Sequence, residues 1–191
     1  IEFKLNKKNI LVTFHPVTLE NSTAKEQFQE LLDAIDELED TNIIFTKANS
    51  DTNGRIINQM IDEYVAKNYH KSIGFISLGQ QRYLSALQYV DAVVGNSSSG
   101  LLEAPSFKIG TINIGDRQKG RIKAESVINS EVNKTSILKS FSKLYSKAFQ
   151  DLIEESKNPY GDGIASRKII EIIKNEDLRN ILKKSFYDLK V

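Results

Sequence analysis

The chain has 191 residues, with 26 Lys and Arg against 25 Asp and Glu; at a net charge of +1, nothing in the balance points to nucleic acid or a membrane surface. Cysteine is absent, which excludes a disulfide framework and thiol chemistry and makes a reducing compartment, the cytoplasm, the expected location. His15 and His70 are the sole histidines, so a His-rich metal site is excluded, and no apolar run approaches the roughly 18 residues of a membrane span.

Ile10–Phe14 is a short β-rich run that ends at His15-Pro16, where proline biases His15 away from helix. Thr23-Ala24-Lys25-Glu26 has capping-box spacing and opens a helix carrying Phe28, Leu31, Leu32, Ile35 and Leu38 on one face. Asn42–Thr46 reads as a second strand, followed by the polar loop Lys47–Gly54 and a helix from about Arg55 to Asn68. Ile73–Ile76 is a third strand, with a helix expected after Gly79. Asp91–Val94 and Gly110–Ile114 are the fourth and fifth strands, and Ser126–Ile128 is a candidate sixth. Asn133 is placed to cap a helix with Ile137, Leu138, Phe141, Leu144 and Tyr145 inward. After the break Asn158–Gly163, two helical segments are expected, at about Ile164–Lys174 and Asp177–Leu189.

Short strands alternating with amphipathic helices predict an α/β fold, a doubly wound parallel sheet of Rossmann-like type. Ligands of such sheets bind outside the C-terminal strand ends. The polar stretches His15–Thr18, Lys47–Asn53, Gly79–Tyr83, Gly95–Ser99 and Gly115–Arg121 all fall on that rim.

The richest stretch is Gly95–Arg121. A small hydroxyl-rich turn, Gly95-Asn96-Ser97-Ser98-Ser99-Gly100, sits between an apolar strand and an expected helix, a setting in which free backbone N–H groups and the helix dipole favour an anion. It is neither a G-x-S-x-G elbow nor a Walker A loop nor a G-x-G-x-x-G fingerprint. Several donors in a row suit the many acceptor oxygens of a diphosphate; a serine-rich cap without a ligand is the bland alternative. Glu103, about one helical turn on, either complements the helix dipole or accepts from ribose hydroxyls. Arg117 and Arg121 are either solvated loop charges or anion ligands. His15 is either a hydrogen-bonded structural residue or a diphosphate contact with a proton-transfer role. His70 reads as surface.

The run GNSSSGLLEAPSFKIGTINIGDRQKGR, with TFHPVT before it and NPYGDGIASRKI after it, resembles the UDP-N-acetylglucosamine 2-epimerase family, in particular its hydrolysing, N-acetylmannosamine-forming members. The resemblance runs from about Asn9 to Lys174, and GNSS-x-G-x-x-E joined to INxGxRQxGR carries most of it. It implies the C-terminal half of a glycosyltransferase-B-type two-domain fold: residues 1–174 as a UDP-binding Rossmann-like domain and 175–191 as a C-terminal helical extension. By the resemblance, His15 contacts the diphosphate and takes part in catalysis. Asn49 lines the nucleotide pocket, and Tyr83 flanks the uracil. Ser97 and Ser98 bind phosphates, Glu103 binds the ribose hydroxyls, and Arg117 lies near the phosphates.

The implied activity for the full-length protein is hydrolysis of UDP-N-acetylglucosamine, or a related amino-sugar nucleotide, to the 2-epimer and UDP in sialic-acid-type sugar biosynthesis, with no cofactor and no metal. The implied partners are UDP or a UDP-amino sugar, an N-terminal domain of the same protein that supplies the proton-abstracting acids, and further copies of the protein, but neither nucleic acid nor membrane. This chain by itself is expected to bind UDP and to be inactive. The alternatives are the nucleotide-sugar-binding half of a glycosyltransferase of the same architecture and a noncatalytic UDP-binding module.

Overall fold

The computed structural model describes residues 3–17, 23–49, 53–179 and 182. Two compact units divide the chain, Ile1–Pro159 and Tyr160–Val191.

The first unit is built on a parallel sheet. Its elements run β1 (Lys8–Thr13), α1 (Ala24–Ile35), β2 (Thr41–Thr46), α2 (Gly54–Lys67), β3 (Ser72–Phe75), α3 (Gly79–Ala86), β4 (Ala92–Gly95), α4 (Ser99–Leu102), a 3-10 turn (Ala104–Phe107), β5 (Gly110–Ile114), β6 (Val127–Ser130), α5 (Lys134–Leu144) and α6 (Lys147–Glu155). Strand order is β3-β2-β1-β4-β5-β6, with every neighbouring pair parallel. This is the doubly wound Rossmann-like order, and its direction of winding reverses between β1 and β4.

Alternation along the strands explains why both faces are covered. Ile10, Val12, Ile43, Phe45, Ala92, Val94, Ile112 and Ile114 point to one face and pack with α1, α2, α5 and α6. Leu11, Ile44 and Val93 point to the other and meet Leu78, Ala86, Leu87 and Val90 around α3. At the C-terminal end of β1, the Phe14 ring packs against Phe28 of α1, with ring centroids 5.6 Å apart. That contact carries the chain outward to His15.

Two local expectations change. Thr23 precedes α1 but has helical φ and ψ and makes no side-chain capping bond, so the capping box does not form. Its hydroxyl instead accepts from Gln27 Nε2 at 3.2 Å. Asn133 does cap α5, accepting from Ser136 N–H at 2.9 Å. The helix α6, capped by Ser146, is an addition. Its Phe149 and Ile153 complete the pocket against Gly110, where a Cβ would lie 2.2 Å from Leu144 Cδ1.

The boundary between the units falls at the Tyr160–Gly163 break. In the second unit, α7 (Ala165–Asn175) places Ile169, Ile170, Ile172 and Ile173 on one side by helical periodicity. The last expected helix, about Asp177–Leu189, lies largely outside the described residues. No helix among the described residues is long and apolar enough to cross a membrane.

Phe28 is fully buried and supports the strand end that carries His15. Phe28→Ala is expected to cost about 3–5 kcal/mol, as large-to-small aromatic truncations do. Urea denaturation followed by circular dichroism measures it, and a cost below about 1 kcal/mol would show that this packing does not support the strand end.

Candidate nucleotide-binding site

Parallel strands that reverse their winding direction leave a crevice where the two neighbouring loops diverge. Here those loops follow β1 and β4. The register pairs Thr13 with Gly95 at the last step of the two strands. Beyond it opens a cleft of about 660 Å³, lined among others by Thr13, His15, Asn49, Tyr83, Ser97, Ser99 and Glu103. Five of the residues expected to bind UDP or act on it, from four separate loops and helices, thus meet in one place together with His15's neighbour strand end.

The floor is polar and closely bonded. Thr13 Oγ1 and Thr46 Oγ1, at the ends of β1 and β2, share a hydrogen bond of 2.5 Å. On one side, Asn58 of α2 holds the loop after β2: its Oδ1 accepts from Ala48 N–H at 2.7 Å and its Nδ2 donates to the Ala48 carbonyl at 3.1 Å. This presents the exposed Asn49 to the cleft. Asn49 also passes so near α2 that a Cβ on Gly54 would lie 2.0 Å from its carbonyl oxygen, so the turn requires glycine there.

The β4 loop supplies the donors. Gly95 has φ of +130°, and a Cβ there would sit 2.0 Å from the Thr13 carbonyl oxygen. Ser99 Oγ lies 3.2 Å from Ser97 Oγ and 2.5 Å from the Tyr83 hydroxyl. These hydroxyls form a connected row along the cleft wall. The helix that follows is shorter than the sequence suggests: α4 has four residues and passes directly into the 3-10 turn. A single turn sums few peptide dipoles, so donors at this wall act mainly as individual hydrogen bonds.

Tyr83 is oriented by that row. Burial, the main cause, pushes its phenol up to about 12, with the Ser99 bond opposing and the Glu103 charge adding to the rise. Glu103 ends α4 and lines the cleft, and burial raises its carboxyl above the ordinary value. Among the described residues no side chain donates a hydrogen bond to it. A half-buried carboxylate that is unpaired in this way is poised to accept from a ligand.

The remaining expected site residues lie at the margin. Ser98 heads α4 without a side-chain capping bond, and it is Ser99 that lines the cleft. Arg117, on the exposed loop after β5, donates through its guanidinium to the Asn96 carbonyl at 3.0 Å. Lys119 and Arg121 are exposed on the same loop. His70 is exposed in the α2–β3 connection, at the opposite rim. Two residues that sequence reasoning passed over are central. Asn96 joins His15, Thr13 and Arg117, and Gln118, 2% exposed, donates to the Asn96 carbonyl at 2.8 Å. Their signal in the sequence is muted: each is a single amide inside a stretch rich in serine or basic residues. Among the described residues no group of three or more His, Asp and Glu converges to hold a metal ion.

A profile of the UDP-N-acetylglucosamine 2-epimerase family matches residues 1–174. The chain is similar to the GDP/UDP-N,N'-diacetylbacillosamine 2-epimerase (hydrolyzing) of Campylobacter jejuni, 45% identical over 99% of this chain and 49% of that protein. It is similar to the polysialic acid biosynthesis protein P7 of Escherichia coli, 39% identical over 97% of this chain and 47% of that protein. The chain therefore spans about half the length of these curated relatives. In fold it matches the UDP-GlcNAc 2-epimerase of Neisseria meningitidis bound to UDP-GlcNAc, with a TM-score of 0.72 at 18% identity over 88% of this chain and 45% of that one.

The Glu103 geometry yields a test that needs no ligand. A carboxyl whose value is raised on folding is penalised when ionised, so its contribution falls as pH rises from its unfolded value through its raised folded value. Glu103→Gln removes that penalty. Urea midpoints at pH 4 and pH 7 should show the variant gaining on the unmodified chain at pH 7 relative to pH 4. Equal gaps at the two pH values would contradict the burial argument.

The doubly wound sheet, the cleft at its switch point and the family profile over residues 1–174 together place this chain in the UDP-N-acetylglucosamine 2-epimerase family.

Proposed function

We propose that the chain is the C-terminal, UDP-binding half of a hydrolysing UDP-amino-sugar 2-epimerase, working in the cytoplasm with an N-terminal domain that completes the active site. The observation that carries this reading is the switch-point cleft gathering His15, Asn49, Tyr83, Ser97, Ser99 and Glu103. The 45% identity to a relative named for a diacetylated bacillosamine nucleotide favours a diacetamido sugar over N-acetylglucosamine as substrate.

In this reading the nucleoside lies toward Asn49 and Tyr83, its ribose hydroxyls donating to Glu103. The diphosphate lies along the serine turn, with Ser97 and Ser99 donating, Ser98 at the head of the turn and Arg117 at its edge. A base from the N-terminal domain removes the proton at C2 of the sugar. UDP leaves from C1 as the C1–C2 double bond of a 2-acetamidoglucal-type intermediate forms. Water then adds across that bond, giving the free 2-epimer. Negative charge grows on the departing diphosphate, so donors already fixed around it lower the barrier directly. His15 stands at the same end of the cleft and serves the leaving group.

Ribose binding also has a proton signature. Burial holds the Glu103 carboxyl above its ordinary value, and two donated hydrogen bonds favour the carboxylate. UDP affinity is therefore expected to improve as pH rises through the raised Glu103 value. Glu103→Ala is expected to weaken UDP binding by about 10-fold or more, the loss of one or two bonds to a charged acceptor, and to flatten that part of the pH dependence. Isothermal titration of UDP against both chains between pH 4 and pH 7 checks this, and equal affinities would remove Glu103 from the site. With the full-length protein, release of UDP and a free 2-epimer from the amino-sugar nucleotide without an acceptor supports the epimerase. Acceptor-dependent transfer would instead support a glycosyltransferase, and binding without turnover a noncatalytic module.

A further inference from the structure

Three rim loops meet at one buried residue to which the proposed chemistry gives no role. Asn96 is 1% exposed, and all four of its polar atoms are engaged. Its Oδ1 accepts from His15 N–H at 2.7 Å, and its Nδ2 donates to the His15 carbonyl at 2.7 Å. That two-bond ring imitates a step of strand pairing and carries the β1–β4 association beyond its last pair, Thr13 and Gly95. The Asn96 backbone N–H donates to the Thr13 carbonyl at 3.2 Å. Its carbonyl accepts from the Arg117 guanidinium at 3.0 Å and from Gln118 Nε2 at 2.8 Å.

We infer that Asn96 is a positioning residue that couples His15 to the diphosphate-binding turn and to the Arg117 loop, so that an anion seated on the serines sets the place of the imidazole. The inference rests on the reading of this cleft as a UDP site. The chemistry is particular to asparagine. An aspartate at the same place accepts from the His15 amide but has no donor for the His15 carbonyl. An alanine leaves both groups without this partner. A glutamine carries its amide one methylene too far for a ring across adjacent strand ends. Gln118 adds a second buried amide whose Nε2 bond goes to the Asn96 carbonyl, which braces the Asn96–Ser97 peptide from the β5 side. Because Asn96 adjoins Ser97, a displacement of the serine turn by a bound diphosphate passes to His15 through one residue. The Arg117 contact passes the same displacement to the basic loop.

The test uses the two histidines of the chain, which give two sets of imidazole signals in a carbon-edited proton NMR spectrum. His70, exposed at the opposite rim, is the internal control. In the unmodified chain, UDP should move the His15 signals and leave His70 in place. In Asn96→Ala, UDP should still move the backbone amide signals of Ser97 and Ser99, while the His15 response, to which the diphosphate also contributes directly, is strongly reduced. If Asn96→Ala does not fold, Asn96→Asp replaces it, with a reduced His15 response expected because one of the two bonds remains. A folded variant of either kind with a full His15 response would overturn the positioning role. So would an unmodified chain in which UDP moves Ser97 and Ser99 but not His15, and that result leaves the UDP site standing. Failure of UDP to move any cleft signal would overturn the UDP reading, and the coupling with it.

Discussion

The close approach of Gly95 to the Thr13 carbonyl is the constraint on which the site depends. A side chain at that point would sit 2.0 Å from the carbonyl oxygen, and the φ of +130° belongs to glycine. Because the last residue of β4 lies so near the last residue of β1, the next peptide reaches across the switch point. Asn96 can then bond to both the Thr13 carbonyl and the His15 backbone. A wider crossing at this step would leave the β1 loop and the β4 loop as independent segments. The crevice common to all doubly wound sheets becomes, through this contact, a crevice with a fixed shape.

The same device appears twice on the rim. Asn58 pairs with both backbone groups of Ala48, as Asn96 pairs with both backbone groups of His15. In each case a side-chain amide takes up both backbone groups of a residue two past the strand end and holds that loop beside the cleft. A loop held this way satisfies its backbone without regular structure, which is what a binding rim needs. Binding groups held rigidly in advance lose less freedom when a ligand arrives. The cleft also carries tension between stability and binding. Glu103 and Tyr83 are both held toward their neutral forms by burial, and Glu103 lacks a donor from the described protein groups. Such a carboxylate weakens the folded chain slightly and is suited to a ligand bringing its own hydroxyls.

Hydrophobic periodicity made the six strands and most helices readable, because each element of this fold buries a face and the pattern of burial is the pattern of the sequence. Strand Gly110–Ile114 and the Asn133 cap appear in the structure as the residues suggest. The capping box at Thr23 does not, because backbone dihedrals at that residue are decided by the path into α1 and not by spacing. The helix α6 was hidden because Lys147–Glu155 is short and mostly polar. It is defined by Phe149 and Ile153 reaching the space over Gly110, a contact between residues about forty apart. Among the serines, sequence marks the row, but only the turn geometry decides that Ser97 and Ser99 face the cleft.

The sequence by itself determined the fold class, the family and the rim on which the site stands. Those follow from local periodicity and from motifs whose residue types are chemically particular. The tertiary structure decided which of those residues meet, through the register of β1 against β4 and the close contact at Gly95. It also decided the part played by Asn96 and Gln118, whose amides are unremarkable in a string of letters. An amide becomes a brace only when a specific backbone N–H and carbonyl arrive within hydrogen-bond distance of it. Here those groups come from His15, some eighty residues away along the chain. No local rule of sequence carries that proximity; it exists because two parallel strands, with three helices and two strands between them in the chain, end side by side.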